Sequence, residues 1–254
     1  VAVPICAPGW AQCGLDYSSK ERHIRAMSQD FIADVEWRIS TIPVAYDAAV
    51  AEMEQRVLDI REKGAPELVW LLEHPPLYTA GTSADPAELL SPDRFPVHRT
   101  GRGGRYTYHG PGQRIGYVLI DLDKRGRDVR CYVSGMERWL ITALAALGVT
   151  ARQEPGRIGI WTGEGTDEAK IGAIGVRVRR WVTLHGFALN VNPDLSHFAG
   201  IVPCGISDYG VTSLEKLGIG NAAGRLDQAL RDCFPDFLER LSKTGEGHCA
   251  TGAL

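Results

Sequence analysis

No stretch of this 254-residue chain is apolar for long enough to cross a bilayer. The longest run, Trp139 to Leu147, falls far short of the ~18 residues a membrane helix needs and is interrupted by Thr142. Neither sign of charge is in excess: 28 Lys and Arg stand against 31 Asp and Glu, a net charge of -3. That balance excludes an affinity resting on broad neutralisation of nucleic-acid phosphates. The six cysteines, Cys6, Cys13, Cys131, Cys204, Cys233 and Cys249, contain no C-x-x-C pair, and no histidine is spaced to join one. Neither a zinc site nor a disulfide framework is expected, and a reducing cytoplasm is the simpler setting. H-E-x-x-H, G-x-S-x-G, a G-K phosphate loop and EF-hand spacing are missing too, which removes the familiar sites they mark. Residues 1 to 26 lack Met and lack a basic segment ahead of an apolar run, so they do not read as a secretory signal. They read as an extension before Met27, and residues 1–34 together as a poorly ordered N-terminal segment.

What is present is an alternation of helical and strand periods. Val35 to Ile39 has the pattern of a short strand, and Val44 to Lys63 carries Val50, Met53, Val57 and Ile60 at helical spacing, with Gly64 as its stop. Leu68 to Leu72 is an unbroken apolar run of strand length, expected to be buried on both faces. Ile115 to Leu122 is a second such strand, followed by a helix through Tyr132, Met136, Leu140 and Leu144 that ends at Gly148. From Lys170 the period becomes two, with Ile174, Val176 and Val178 alternating with Gly175, Arg177 and Arg179, and Trp181 to Val191 reads as the hairpin partner. A last helix is expected from Asn221, broken or kinked at Pro235. No repeat and no low-complexity linker divides the chain. The expectation is one α+β domain over residues 35–241, a mixed and largely antiparallel sheet flanked by helices, with a polar tail at 242–254.

Two segments carry chemistry. Thr100 to Gln113 holds five glycines and no aliphatic side chain, and glycine lets backbone N–H groups approach a ligand closely. Pro203-Cys204-Gly205 presents a thiol on a turn, where a lowered pKa or a nearby base makes it a nucleophile; Lys170 and His185 lie on the adjoining hairpin. Taken alone, the first also fits a surface hairpin and the second a small buried hydrophobe.

Together these blocks resemble a known family. Arg102-Gly103-Gly104 through Thr107, His109-Gly110-Pro111-Gly112-Gln113, Tyr117, the Lys170 to Gly175 block, His185-Gly186, Leu189-Asn190-Val191, Phe198 and Pro203-Cys204-Gly205 follow, in order, the signature of the octanoyl-[acyl carrier protein]:protein octanoyltransferases of lipoate biosynthesis. The resemblance covers roughly residues 35 to 215. It implies the fold shared by biotin and lipoate protein ligases and a Cys/Lys dyad, with Cys204 as nucleophile and Lys170 as base. It also implies an acyl pocket formed by Arg102, Gly103, Gly104, Arg105, Tyr106, Thr107, Tyr108 and His109, by His74 and Tyr117, by Ala173, Ile174 and Gly175, and by His185 and Gly186. The donor would be octanoyl-acyl carrier protein. The acceptors would be lipoyl domains of 2-oxoacid dehydrogenases and the glycine cleavage H protein, with no cofactor, metal, nucleic acid or membrane involved. Backbone N–H groups at the Cys204-Gly205 turn would hold the oxyanion. Arg177, Arg179 and Arg180, with Lys124, Arg125, Arg127 and Arg130 as a second basic cluster, are expected to steer the acidic carrier, or else to be solvated strand and loop surface. The competing readings are an ATP-dependent lipoate or biotin ligase on the same fold and a noncatalytic binder of acyl carriers or lipoyl domains.

Overall fold

A computed structural model of the chain describes residues 30–202 and 210–243. Its centre is β3 (Leu68–Leu72), every residue of which is buried. Alternation sends Leu68, Trp70 and Leu72 to one side of the sheet and Val69 and Leu71 to the other, so the unbroken apolar run serves two cores. On the first side lies α1 (Tyr46–Lys63), which packs Ala49, Met53, Val57 and Ile60 onto β3 and β7 (Gln113–Leu119) and ends at Gly64 with φ +66°. On the second side lie α2 (Val129–Ala146) and α3 (Ala223–Lys243).

The main sheet is completed by β1 (Asp30–Ile32), β2 (Val35–Ile39), β8 (Ala151–Glu154), β9 (Arg157–Thr162), β10 (Ala169–Arg179), β11 (Val182–Asn190) and β12 (Gly210–Val211). Strand order is β1-β2-β3-β7-β11-β10-β9-β8, with β12 pairing β10 in parallel and β2 pairing β3 in parallel; the other pairs are antiparallel. A small sheet of β5 (Val97–Arg99), β4 (Leu77–Ala80) and β6 (Tyr106–His109) stands beside it on its own core of Tyr78, Tyr108 and Phe198. The expected mixed, largely antiparallel α+β fold is present as a single domain.

Four details differ from expectation. Asp30–Ile32 pairs with β2, so ordered structure starts before residue 35. The second strand runs Gln113–Leu119, not Ile115 to Leu122. Helix α3 continues through Pro235. A proline inside a helix costs about 3 kcal/mol, but Phe234, Phe237, Leu238 and Leu241 are all buried against the neighbouring elements, Phe237 stacks on Trp139 at 5.2 Å, and Trp139 Nε1 donates to the Leu230 carbonyl at 2.8 Å. Burial of that aromatic face outweighs the break. The last helix also opens at Ala223 and not at Asn221; near its middle Cys233 is a free thiol. No helix among the described residues is long and apolar enough to cross a membrane.

Candidate active site

The floor of the site is cut by β7, β11 and β10, and its roof is the glycine-rich loop between β5 and β6. A narrow slot of about 60 Å³ runs between them, walled by the 102–107 loop, His109 and Tyr117 on one side and by the Ala173–Gly175 and His185–Ala188 stretches on the other. Thr107, Ala173 and Ala188 also line a smaller space that reaches Lys170, so the lysine lies next to the slot. Gly116 makes room beneath: a Cβ there would lie 2.2 Å from the Phe187 ring.

Lys170 stands near the start of β10, 8% exposed. Its Nζ donates to the Ile158 carbonyl at 2.9 Å and lies 5.4 Å from the centre of the Trp161 ring. Glu137 of α2 is close enough to feel the lysine. Burial pushes the Glu137 carboxyl up, opposed by the Gly159 N–H and by Lys170. Cys204 lies outside the described residues; Gly210, six positions on, pairs opposite Ala169 and Val211 opposite Lys170.

A chain of amides joins the two ends of the slot. His109 Nδ1–H donates to Gln113 Oε1 at 2.7 Å, Gln113 Nε2 to Asn190 Oδ1 at 2.9 Å, and Asn190 Nδ2 to the Thr212 carbonyl at 2.9 Å, while the Thr212 N–H donates to the Lys170 carbonyl at 3.0 Å. Arg102 fastens the loop from within: Nη2 donates to Thr79 Oγ1 at 2.6 Å and to the Thr79 and Arg105 carbonyls, and Nη1 to the Gly103 carbonyl.

Two residues expected in the pocket lie elsewhere. His74 is fully buried behind Tyr117: its Nδ1–H donates to the Val44 carbonyl at 2.6 Å, which leaves Nε2 to accept from the Tyr117 hydroxyl at 2.7 Å. It orients a slot residue without lining the slot. Tyr108 points to the opposite face of β6 from Thr107 and His109, into the small core with Phe95 and Phe198, as strand alternation requires. β10 carries Lys170 near one end and Arg177 and Arg179 at the other, Arg125 is paired with Glu67, and Arg127 with Asp123. Sequence reasoning missed Tyr46, Glu137, Gly159 and Trp161; of these, Gly159 inside a strand was a readable sign of close approach.

Histidines 74 and 185 are 0% and 6% exposed, and burial pushes both imidazoles down to about 4. They are neutral in the folded chain at neutral pH. The unfolded chain takes up protons near 6.5 first, so the stability these groups leave intact above 6.5 is lost as pH falls toward 4, by up to about 1.4 kcal/mol per pH unit for each. Thermal melts are expected to show a melting temperature falling steadily from pH 7 to pH 4.5. A flat profile over that range contradicts neutral, buried rings.

Residues 46–230 match the lipoyl protein ligase A/B catalytic domain. The chain is 64% identical to the octanoyltransferase of Rhizorhabdus wittichii over 208 residues, 82% of this chain and 93% of that protein. It is 62% identical to the octanoyltransferase of Rhodospirillum rubrum over 201 residues, 79% of this chain and 93% of that protein. Among solved structures it is similar to a lipoate-protein ligase A bound with ATP, with a TM-score of 0.62 at 16% identity, covering 84% of this chain and 95% of that one. A bipartite lipoate protein ligase from Thermoplasma acidophilum, described with its E2 lipoyl domain, gives 0.61 at 16% identity, covering 86% and 95%. At that identity the structures establish the fold alone.

Proposed function

The chain belongs to the octanoyltransferases of the lipoyl protein ligase A/B catalytic-domain family and is an acyltransferase, and from that premise we propose that it moves an octanoyl group from octanoyl-acyl carrier protein to a lysine of a lipoyl domain through a thioester on Cys204. The observation that carries this reading is the buried Lys170 amine at the mouth of a glycine-walled slot. Lys170 Nζ takes the Cys204 thiol proton. The thiolate adds to the donor thioester carbonyl, the new C–S bond forms, the old one breaks, and the carrier thiolate leaves with the proton returned by Lys170. In the second half the acceptor amine attacks the octanoyl-cysteine, an amide forms, the Cys204 thiolate leaves, and Lys170 takes the amine's proton.

Backbone N–H groups at the Cys204-Gly205 turn hold the tetrahedral oxyanion in both halves. A thioester is already activated, so no ATP enters. Seating an eight-carbon chain requires the narrow slot to widen, and the exposed Gly101, Gly103 and Gly104 make the loop the wall that gives. The E2 lipoyl domain that accompanies the archaeal ligase on the same fold supports a lipoyl domain as acceptor.

Intact-protein mass spectrometry tests the proposal. Incubation with octanoyl-acyl carrier protein and no ATP is expected to add one octanoyl group to the chain, to lose it on adding a lipoyl domain, and to add none to Cys204→Ser. An adduct retained in Cys204→Ser, or an absolute need for ATP, overturns the covalent route.

A further inference from the structure

Beside the slot is a second cavity, of about 370 Å³, with Val50 and Leu184 as its apolar side and the charged Asp47, Glu54, Arg99 and Arg177 around its rim. Among the described residues, Tyr46 and His185 are the two whose side chains line both spaces. They form the wall at the end of the slot remote from Lys170. We propose that this wall sets the acyl-chain length the enzyme accepts, with His185 as the specificity-determining residue that closes the slot off from a chamber able to take longer chains.

The backbone at His185 is the first argument. On β11, Leu184 and Ala188 face the α1 side, while Phe187 and Leu189 face the α2 and α3 side. Strict alternation would put His185 with Phe187. Instead it adopts φ +61°, a left-handed conformation uncommon for a residue with a Cβ, and its ring comes to the α1 side, 6.0 Å from the Tyr117 ring and beside Leu184. The chain bears a strained residue in a central strand to aim this one ring at the slot.

The second argument is what the ring does there. Both ring nitrogens are buried, and neither has a hydrogen-bond partner among the described residues. Such groups are rare in a packed interior and call for an explanation. Burial first, with the Arg102 and Arg177 charges adding to it, keeps the imidazole neutral. A neutral ring without polar partners contributes shape. Its companion in the wall, Tyr46, is held between the rings of His74 at 5.4 Å and His98 at 4.9 Å, so the barrier is braced on the tyrosine side and rests on one unbonded ring on the other.

The inference rests on the acyl-transfer reading, and the test keeps the two apart. Rates of transfer to a lipoyl domain are measured with octanoyl-, decanoyl-, dodecanoyl- and tetradecanoyl-carrier protein for the wild type, His185→Gly and His185→Gly with Val50→Trp. Glycine suits the backbone at this position, and His185→Asn, which also tolerates positive φ, serves if the glycine variant melts early. The wild-type rate is expected to fall beyond octanoyl. A methylene fully buried among apolar neighbours is worth roughly fourfold, and the charged rim returns only part of that, so His185→Gly is expected to raise the dodecanoyl-to-octanoyl ratio by about tenfold, and tryptophan at position 50, by filling the chamber, to restore the wild-type profile. A folded variant that keeps the wild-type profile overturns the inference, as does a broadened profile that Val50→Trp leaves unchanged. A wild type that transfers no octanoyl group removes the acyl-transfer reading and this inference with it.

Discussion

Lys170→Ala is expected to slow octanoyl transfer by about 10²- to 10⁴-fold, the usual size for loss of a positioned general base. The lysine ends in a pocket made for it, its stem passing over Gly159 and its amine held by the Ile158 carbonyl beside the Trp161 ring. Removal leaves the Ile158 carbonyl on an exposed residue, so the fold is expected to survive with a small loss of melting temperature. Single-turnover experiments separate the two half-reactions, and both are expected to slow, because one amine serves each. Lys170→Arg is expected to rescue little: guanidinium keeps its proton at neutral pH and cannot act as the base. Added methylamine, small enough for the vacated space, is expected to restore part of the alanine variant's rate with a pH dependence set by the free amine. Full activity in the arginine variant would assign Lys170 the role of a fixed positive charge.

The sequence was most readable where one period served one environment. Leu68 to Leu72 could only be a strand covered on both sides, and α1 and α2 each carried a single apolar stripe. The glycine-rich loop was visible for what it lacks, since a run without aliphatic side chains cannot pack a core. The readings that failed did so where a tertiary contact overruled a local rule. Pro235 marks a break until Trp139 and Phe237 are seen to stack, and Tyr108 belongs to the pocket by motif and to the small core by alternation. His185 is the reverse case: alternation sends it away from the site, and its positive φ brings it back. No sequence period records a single left-handed residue inside a strand, though the glycine that follows is a hint.

Gly159→Ala is expected to be nearly as damaging as removal of the lysine itself. Gly159 has φ +133°, which L side chains rarely adopt, and a Cβ on it would lie 2.3 Å from Lys170 Cε, 2.9 Å from Nζ and 2.8 Å from the Gly172 carbonyl oxygen. Two of these atoms belong to the flexible end of the lysine and the third to the backbone, so the lysine is what yields. Its amine would leave the Ile158 carbonyl and the line to the slot. Misplacement of a reacting group by about 1 Å is worth on the order of 10²-fold in rate, and that loss is expected in the acylation step with octanoyl-carrier protein and with a small octanoyl thioester alike, because the damage is to the base and not to docking. Glu137→Gln separates this effect from general disturbance of the strand. Glu137 Oε1 accepts from the Gly159 N–H at 3.3 Å and Oε2 from Gln153 Nε2 at 3.0 Å, and the amide keeps one acceptor while removing the charge near Lys170. It is expected to cost less than tenfold in rate, because the Gly159 N–H keeps its acceptor and the lysine stays where it is. A Gly159→Ala enzyme with the wild-type acylation rate would show that the Lys170 position described here is not the one used in catalysis.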